Sequence, residues 1–310
     1  MALHPQVISL LDKMSSANLK PAFTLTPVEA RKQMDEMAAV RDSRKTLVGS
    51  VEEIDVPGPA GKIVIRIYRP SNQTDKNLPL FIYFHGGGHV IGSLDSHDEV
   101  ARVLCSGANC LLASVDYRLA PEHKFPAAVD DAKRAYNWML DNGPEGEERY
   151  KKAFISGDSA GGGLSVATTL AIKDDNGILP NAIMPISPWV EMDPVSQSYE
   201  DNKELDPFVS KDGIAWFSSV YVPNENERKN PYASPLYGDF KDFPPMLIQV
   251  GTREVLLDDS KKLNEKAKSD GCDVEIQIWD DMVHIFQGFA PYLPEANEAL
   301  ESISKFISDK

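Results

Sequence analysis

Apolar residues recur along this chain in short runs bounded by glycine and proline, and their period changes as the chain proceeds. At 62–68 they alternate, placing Ile63, Ile65 and Ile67 on one face. The run at 51–56 precedes it across a Pro-Gly-Pro-Ala-Gly turn, so the pair predicts an antiparallel hairpin. From Leu78 onward the alternation gives way to nearly solid apolar runs at 80–84, 110–115, 153–156, 182–186, 246–250 and 274–279. Such runs mark strands buried on both faces. Helical spacing separates them, at 96–105, 125–139 and 161–172. Strand alternating with helix predicts a mostly parallel α/β sheet.

Two stretches fall outside this rhythm. The first 45 residues read as helices, with Val7, Ile8, Leu10, Leu11 and Met14 in one segment. In the next, Thr26 is an N-cap, Pro27 stands at the first helical position, and Met34, Met37 and Val40 form a docking stripe. The interval 189–243 is too long for a strand-to-strand crossover. It holds a helical pattern at 209–221 behind a Ser210 cap, then a polar stretch rich in Asn, Glu and Pro. The expected organisation is N-terminal helices (1–45) contributing to a cap, a core in two parts (46–188 and 244–310), and a cap insertion (189–243).

Composition narrows the partners. The chain has 310 residues, 42% hydrophobic and 25% charged, which suits a globular domain with a large core. A formal net charge of −15 opposes binding to nucleic acid or to anionic membranes. No apolar run approaches the roughly 20 residues a membrane-spanning helix needs. The three cysteines, Cys105, Cys110 and Cys272, form no C-x-x-C pair, and the first two flank a turn-like Ser-Gly-Ala-Asn. An odd count without a signal-peptide pattern predicts free thiols and a cytoplasmic protein, with no metal site.

The strongest chemical signal is Gly-Asp-Ser-Ala-Gly at 157–161, between a strand and a helix of small residues. Glycines two residues either side of Ser159 permit the sharp turn that lifts a serine hydroxyl above a sheet. A serine nucleophile needs a base and an orienting acid. Of the six histidines, His284 follows the last strand, which completes the order nucleophile, acid, histidine. The acid belongs just after the 246–250 strand, where Glu254 and Asp258 compete; Glu254 lies directly past the strand and is preferred. The run His85-Gly86-Gly87-Gly88-His89 is not followed by the Lys-Ser/Thr of a phosphate loop, nor do Gly86, Gly88 and Gly92 keep dinucleotide spacing. Read beside Ser159, it supplies an oxyanion hole from the amides of Gly86, Gly87 and Ala160, with His85 bracing the loop. Such donors are worth about 3 kcal/mol each in the transition state.

Four segments together resemble the hormone-sensitive lipase family of α/β-hydrolase esterases. They are His-Gly-Gly-Gly at 85–88, the stretch 116–131, Gly-Asp-Ser-Ala-Gly-Gly at 157–162, and the acid-to-histidine pair ending in His284. The resemblance implies an α/β-hydrolase fold with an eight-stranded sheet, a helical cap, and hydrolysis of short- to medium-chain carboxylic esters without a cofactor. It also implies a homodimer, a small-molecule ester as the substrate, and a structural role for 116–131. From the residues alone, Arg118, Glu122 and Asp130 there read as a buried polar network. The same machinery would serve an amidase. Receptors of this fold lack the histidine that His284 supplies. Two positions depart from the family pattern: an aspartate usually stands where this chain has Glu254, and an aromatic residue where it has His89, which makes His89 a candidate polar wall of the substrate pocket.

Overall fold

The computed structural model describes residues 8, 19–41, 45–71, 78–144, 150, 152–290 and 292–310. The leading apolar segment, apart from Ile8, and the side chain of Val40 lie outside the described residues. The strands are β1 (Ser50–Gly58), β2 (Gly61–Arg69), β3 (Leu80–Phe84), β4 (Leu111–Val115), β5 (Ala153–Asp158), β6 (Ala182–Ile186), β7 (Met246–Gly251) and β8 (Val274–Trp279). They form one sheet in the order β1-β2-β4-β3-β5-β6-β7-β8. Only the β1–β2 and β2–β4 pairings are antiparallel. Every residue of β3, β4, β5, β6 and β7 is buried, as solid apolar runs require.

Helices cover both faces. On one side lie α2 (Asp98–Ala108) and α8 (Pro294–Ser308), whose apolar residues pack with Phe81, Tyr83 and Phe154 of the sheet. On the other lie α3 (Ala127–Asn142), α4 (Ala160–Asp174) and α7 (Leu257–Ser269), packed on Ile65, Ile82 and Ile155. Helix α2 runs further than its sequence suggests. The turn-like residues after Cys105 continue it to Ala108, and Asn109 closes it at φ 50°, its amide bonded to the Cys105 carbonyl. The side-chain amide of asparagine makes that left-handed position tolerable.

The N-terminal helix α1 (Pro27–Arg41) begins as its sequence indicates. Thr26 and Glu29 exchange hydrogen bonds, the Thr26 amide donating at 2.9 Å and the Glu29 amide at 3.3 Å. This capping box satisfies donors that the helix start leaves open. Arg31 ties α1 to the body: it donates to the carbonyls of Val90 and Ala120 and to the Glu122 carboxylate.

The interval 189–243 carries α5 (Ser198–Asp201) and α6 (Lys211–Tyr221). The Ser210 hydroxyl caps α6 by accepting the Gly213 amide at 3.1 Å. Register then decides what meets at the carboxyl edge of the sheet. Phe84 pairs with Gly157, so the glycine loop and the Ser159 turn emerge side by side. Gly251 pairs with Trp279, which brings the segments holding Glu254 and His284 out together. In open α/β sheets this edge is where ligands bind.

Candidate active site

Ser159 stands between β5 and α4 at φ 54° and ψ −119°, a conformation that few side chains tolerate. Strain of this kind costs about 1–3 kcal/mol and persists only where surroundings enforce it. Here its amide donates to the Ile186 carbonyl at 2.9 Å, and its carbonyl accepts the Trp189 amide at 3.0 Å. The glycine at 161 is compulsory: a Cβ there would stand 2.0 Å from the Phe84 carbonyl oxygen. The chain therefore turns within van der Waals contact of β3. The α4 amides behind Ser159 face the site with the positive end of the helix.

Beside this turn, His85 is fully buried and its ring stacks on Tyr117 at 4.4 Å. Its Nδ1–H donates to the Gly86 carbonyl at 2.8 Å, and the Tyr117 hydroxyl donates to the His85 carbonyl at 2.7 Å. Burial pushes the imidazole pKa down to about 3, so the ring braces the loop as a neutral group. The Gly87 carbonyl accepts the amides of Val90 and Ile91. Gly88 sits at φ 63°, and a Cβ there would meet the Phe217 ring of α6 at 2.2 Å.

One expected donor is already committed. The Gly86 amide donates to Asp158 Oδ1 at 3.2 Å. Among the described residues, the amides of Gly87, Gly88 and Ala160 have no protein acceptor. Of the three donors expected from sequence, Gly87 and Ala160 therefore keep an amide without a protein acceptor, and Gly86 does not.

The His284 imidazole contacts Glu254 and not Asp258. Its Nδ1 lies 2.8 Å from Glu254 Oε2, and both groups are buried. Glu254 Oε1 accepts the Ser187 hydroxyl at 2.8 Å and the Gly251 amide at 2.6 Å. The longer glutamate arm folds back over its own strand end, and this places the second oxygen at the imidazole. Burial alone would lower the His284 pKa; the bond to Glu254 and its charge, with Asp206 and Asp158 behind, outweigh burial and raise it. Asp258 instead accepts the Ser198 amide at 2.9 Å, at the start of α5, and pairs with Lys261.

The insertion reaches the same loop from above. Asn202 Nδ2 donates to the carbonyls of Glu254 (2.7 Å) and Thr252 (3.1 Å), and Asp206 Oδ2 accepts the Val255 amide at 2.9 Å. Nothing local marks Asn202 or Asp206 in a polar stretch. Asp158 was also missed, although an acid closing a fully buried strand is a signal in itself. In 116–131 the network differs from expectation. Arg118 grips Asp131 at 2.8 and 2.9 Å, while Asp130 is exposed and Glu122 pairs at the surface with Arg31.

His89 adopts φ 59° and is buried, its ring stacked on Tyr221 at 4.1 Å and close to Trp189. Burial, with His85 nearby, lowers its pKa to about 3. An imidazole thus fills an aromatic niche in its neutral form.

A mostly parallel sheet of this order, with the serine turn after β5 and the acid and histidine segments after β7 and β8, defines an α/β-hydrolase. A family model described as the alpha/beta hydrolase fold matches residues 81–288. An acetyl-hydrolase of Streptomyces hygroscopicus is 35% identical over 240 residues, 77% of each chain. The solved hyperthermophilic esterase of the archaeon Pyrobaculum calidifontis superposes at a TM-score of 0.91 with 31% identity, over 100% of this chain and 99% of that one. A solved esterase of the bacterial hormone-sensitive lipase family gives 0.87 with 34% identity, over 99% and 98%. This chain belongs to the hormone-sensitive lipase family of α/β-hydrolases.

Proposed function

We propose that the protein is a serine carboxylesterase that cleaves short- to medium-chain esters through an acyl-enzyme. The observation that carries the site assignment is the buried Glu254–His284 pair at the sheet edge where Ser159 is held in a strained turn. His284 Nε2 takes the Ser159 proton as Oγ attacks the ester carbonyl. Glu254 keeps the Nδ1–H tautomer and stabilises the imidazolium. Gly87, Gly88 and Ala160 amides receive the oxyanion. The imidazolium protonates the departing alcohol, and water activated by the same histidine releases the acid.

A short acyl preference is supported by the acetyl-hydrolase relative and by Phe217 of α6, which closes over Gly88. In this reading residues 189–243, with the N-terminal helices, form the cap above the site. The reading includes a cytoplasmic homodimer. Among the described residues no helix is long and apolar enough to cross a membrane. Light scattering on the purified protein checks the dimer.

Hydrolysis of p-nitrophenyl butyrate tests the assignment. Ser159→Ala should lower kcat by roughly 10⁴-fold or more. A variant that still turns over within tenfold of wild type would remove Ser159 from the mechanism. A matched acetyl ester and acetanilide separate esterase from amidase action, with the ester expected to be the faster.

A further inference from the structure

Asp158 is fully buried directly before Ser159, and its carboxylate spans two segments that meet only in the fold. Its Oδ1 accepts the Gly86 amide at 3.2 Å and also the Tyr83 hydroxyl. Its Oδ2 has no hydrogen-bond partner among the described residues, and the buried His97 Nε2 stands 3.6 Å away, at ion-pair distance. His97 Nδ1 in turn meets the Ser96 hydroxyl at 2.9 Å. The contact at Gly86 is close: a Cβ there would stand 2.2 Å from Asp158 Oδ2, so only glycine lets the loop descend onto the acid.

This anion is badly placed for direct catalysis. It lies beside a site where negative charge develops, and an uncompensated carboxylate would oppose that charge. Its value must come from geometry. We propose that Asp158 is a positioning residue: its carboxylate, backed by His97, fixes the Gly86 amide and thereby aims the following Gly87 and Gly88 amides at the oxyanion above Ser159. Peptide planes are rigid, so anchoring one amide constrains the orientation of the next. The loop needs such an anchor because its glycines have wide conformational freedom. The inference rests on the esterase reading above.

The test compares Asp158→Ala with Asp158→Asn on p-nitrophenyl butyrate, beside wild type and Ser159→Ala. Wild-type turnover that Ser159→Ala abolishes establishes the reading on which the inference stands; an inactive wild type sinks both. Given that activity, Asp158→Ala should lower kcat roughly 10- to 100-fold, as an ångström-scale misplacement does, with KM within about twofold. Asp158→Asn keeps an oxygen for the Gly86 amide and should recover most of that loss. Phosphonylation of Ser159 by a p-nitrophenyl phosphonate should follow the same order. Should Asp158→Ala fail to fold, Asp158→Ser, one bond shorter than the contact requires, replaces it. An alanine or serine variant with wild-type kcat, a change confined to KM, or an asparagine variant as slow as alanine would each overturn the proposal.

Discussion

The extra methylene of Glu254 lets one carboxylate face two ways, toward the Gly251 amide and toward His284. Glu254→Asp should keep one contact at the expense of the other and reduce kcat by roughly 10- to 100-fold. Glu254→Gln removes the charge and should reduce it by about 10⁴-fold. The pH profile gives an independent reading. In the proposed mechanism the base works as neutral imidazole, and Glu254 raises the His284 pKa, so protonation persists to higher pH than for an ordinary histidine. With glutamine at 254, the acidic limb of the residual kcat/KM should therefore move to lower pH. Asp258→Asn, by contrast, should leave kcat within about threefold, because its carboxyl serves Ser198 and an exposed lysine rather than the imidazole.

Among the elements, the 116–131 segment and α3 are held together by one fork-shaped contact. Arg118 places two guanidinium nitrogens and its own amide on the Asp131 carboxylate, which is buried. Asp131→Asn should cost about 3 kcal/mol, read from urea denaturation, because an arginine is left largely without its counter-charge. Strands were legible in advance because a parallel strand writes its burial directly into consecutive residues, as at 80–84. Ser159 and His284 were legible because chain order and the flanking glycines carry their chemistry. The preference for Glu254 was legible too, from its place directly past the strand; the partner of Arg118 and the contact of Gly86 with Asp158 were not. Each depends on a side chain reaching a distant segment, such as Gly86 and Asp158, 72 positions apart, and no local period records that. His89 was visible as an oddity, but its stacking on Tyr221 belongs to the insertion's fold.

For the molecule as a whole, a net charge of −15 sets a preference that the pocket need not encode. A negatively charged ester approaches against the average field, whereas a neutral ester of the same size does not. Raising ionic strength from about 10 mM to 150 mM shortens the screening length from about 30 Å to about 8 Å. The kcat/KM for a hemisuccinate ester should then rise several-fold while that for a butyrate ester stays nearly constant. Parallel salt dependence for both would show that the surface field does not reach the site.

Two parts of the insertion hold different relations to the rest of the protein. Ser198, Asn202 and Asp206 are bonded to the backbone and side chains of the acid loop, while Phe217 and Tyr221 rest against the glycine loop through packing alone. Hydrogen-bonded seats are exacting and packed ones are forgiving. Residues 198–206 are thus a fixed footing and 207–221 a replaceable face. An evolving lineage, or a laboratory library, can vary the second while the imidazole keeps its partner.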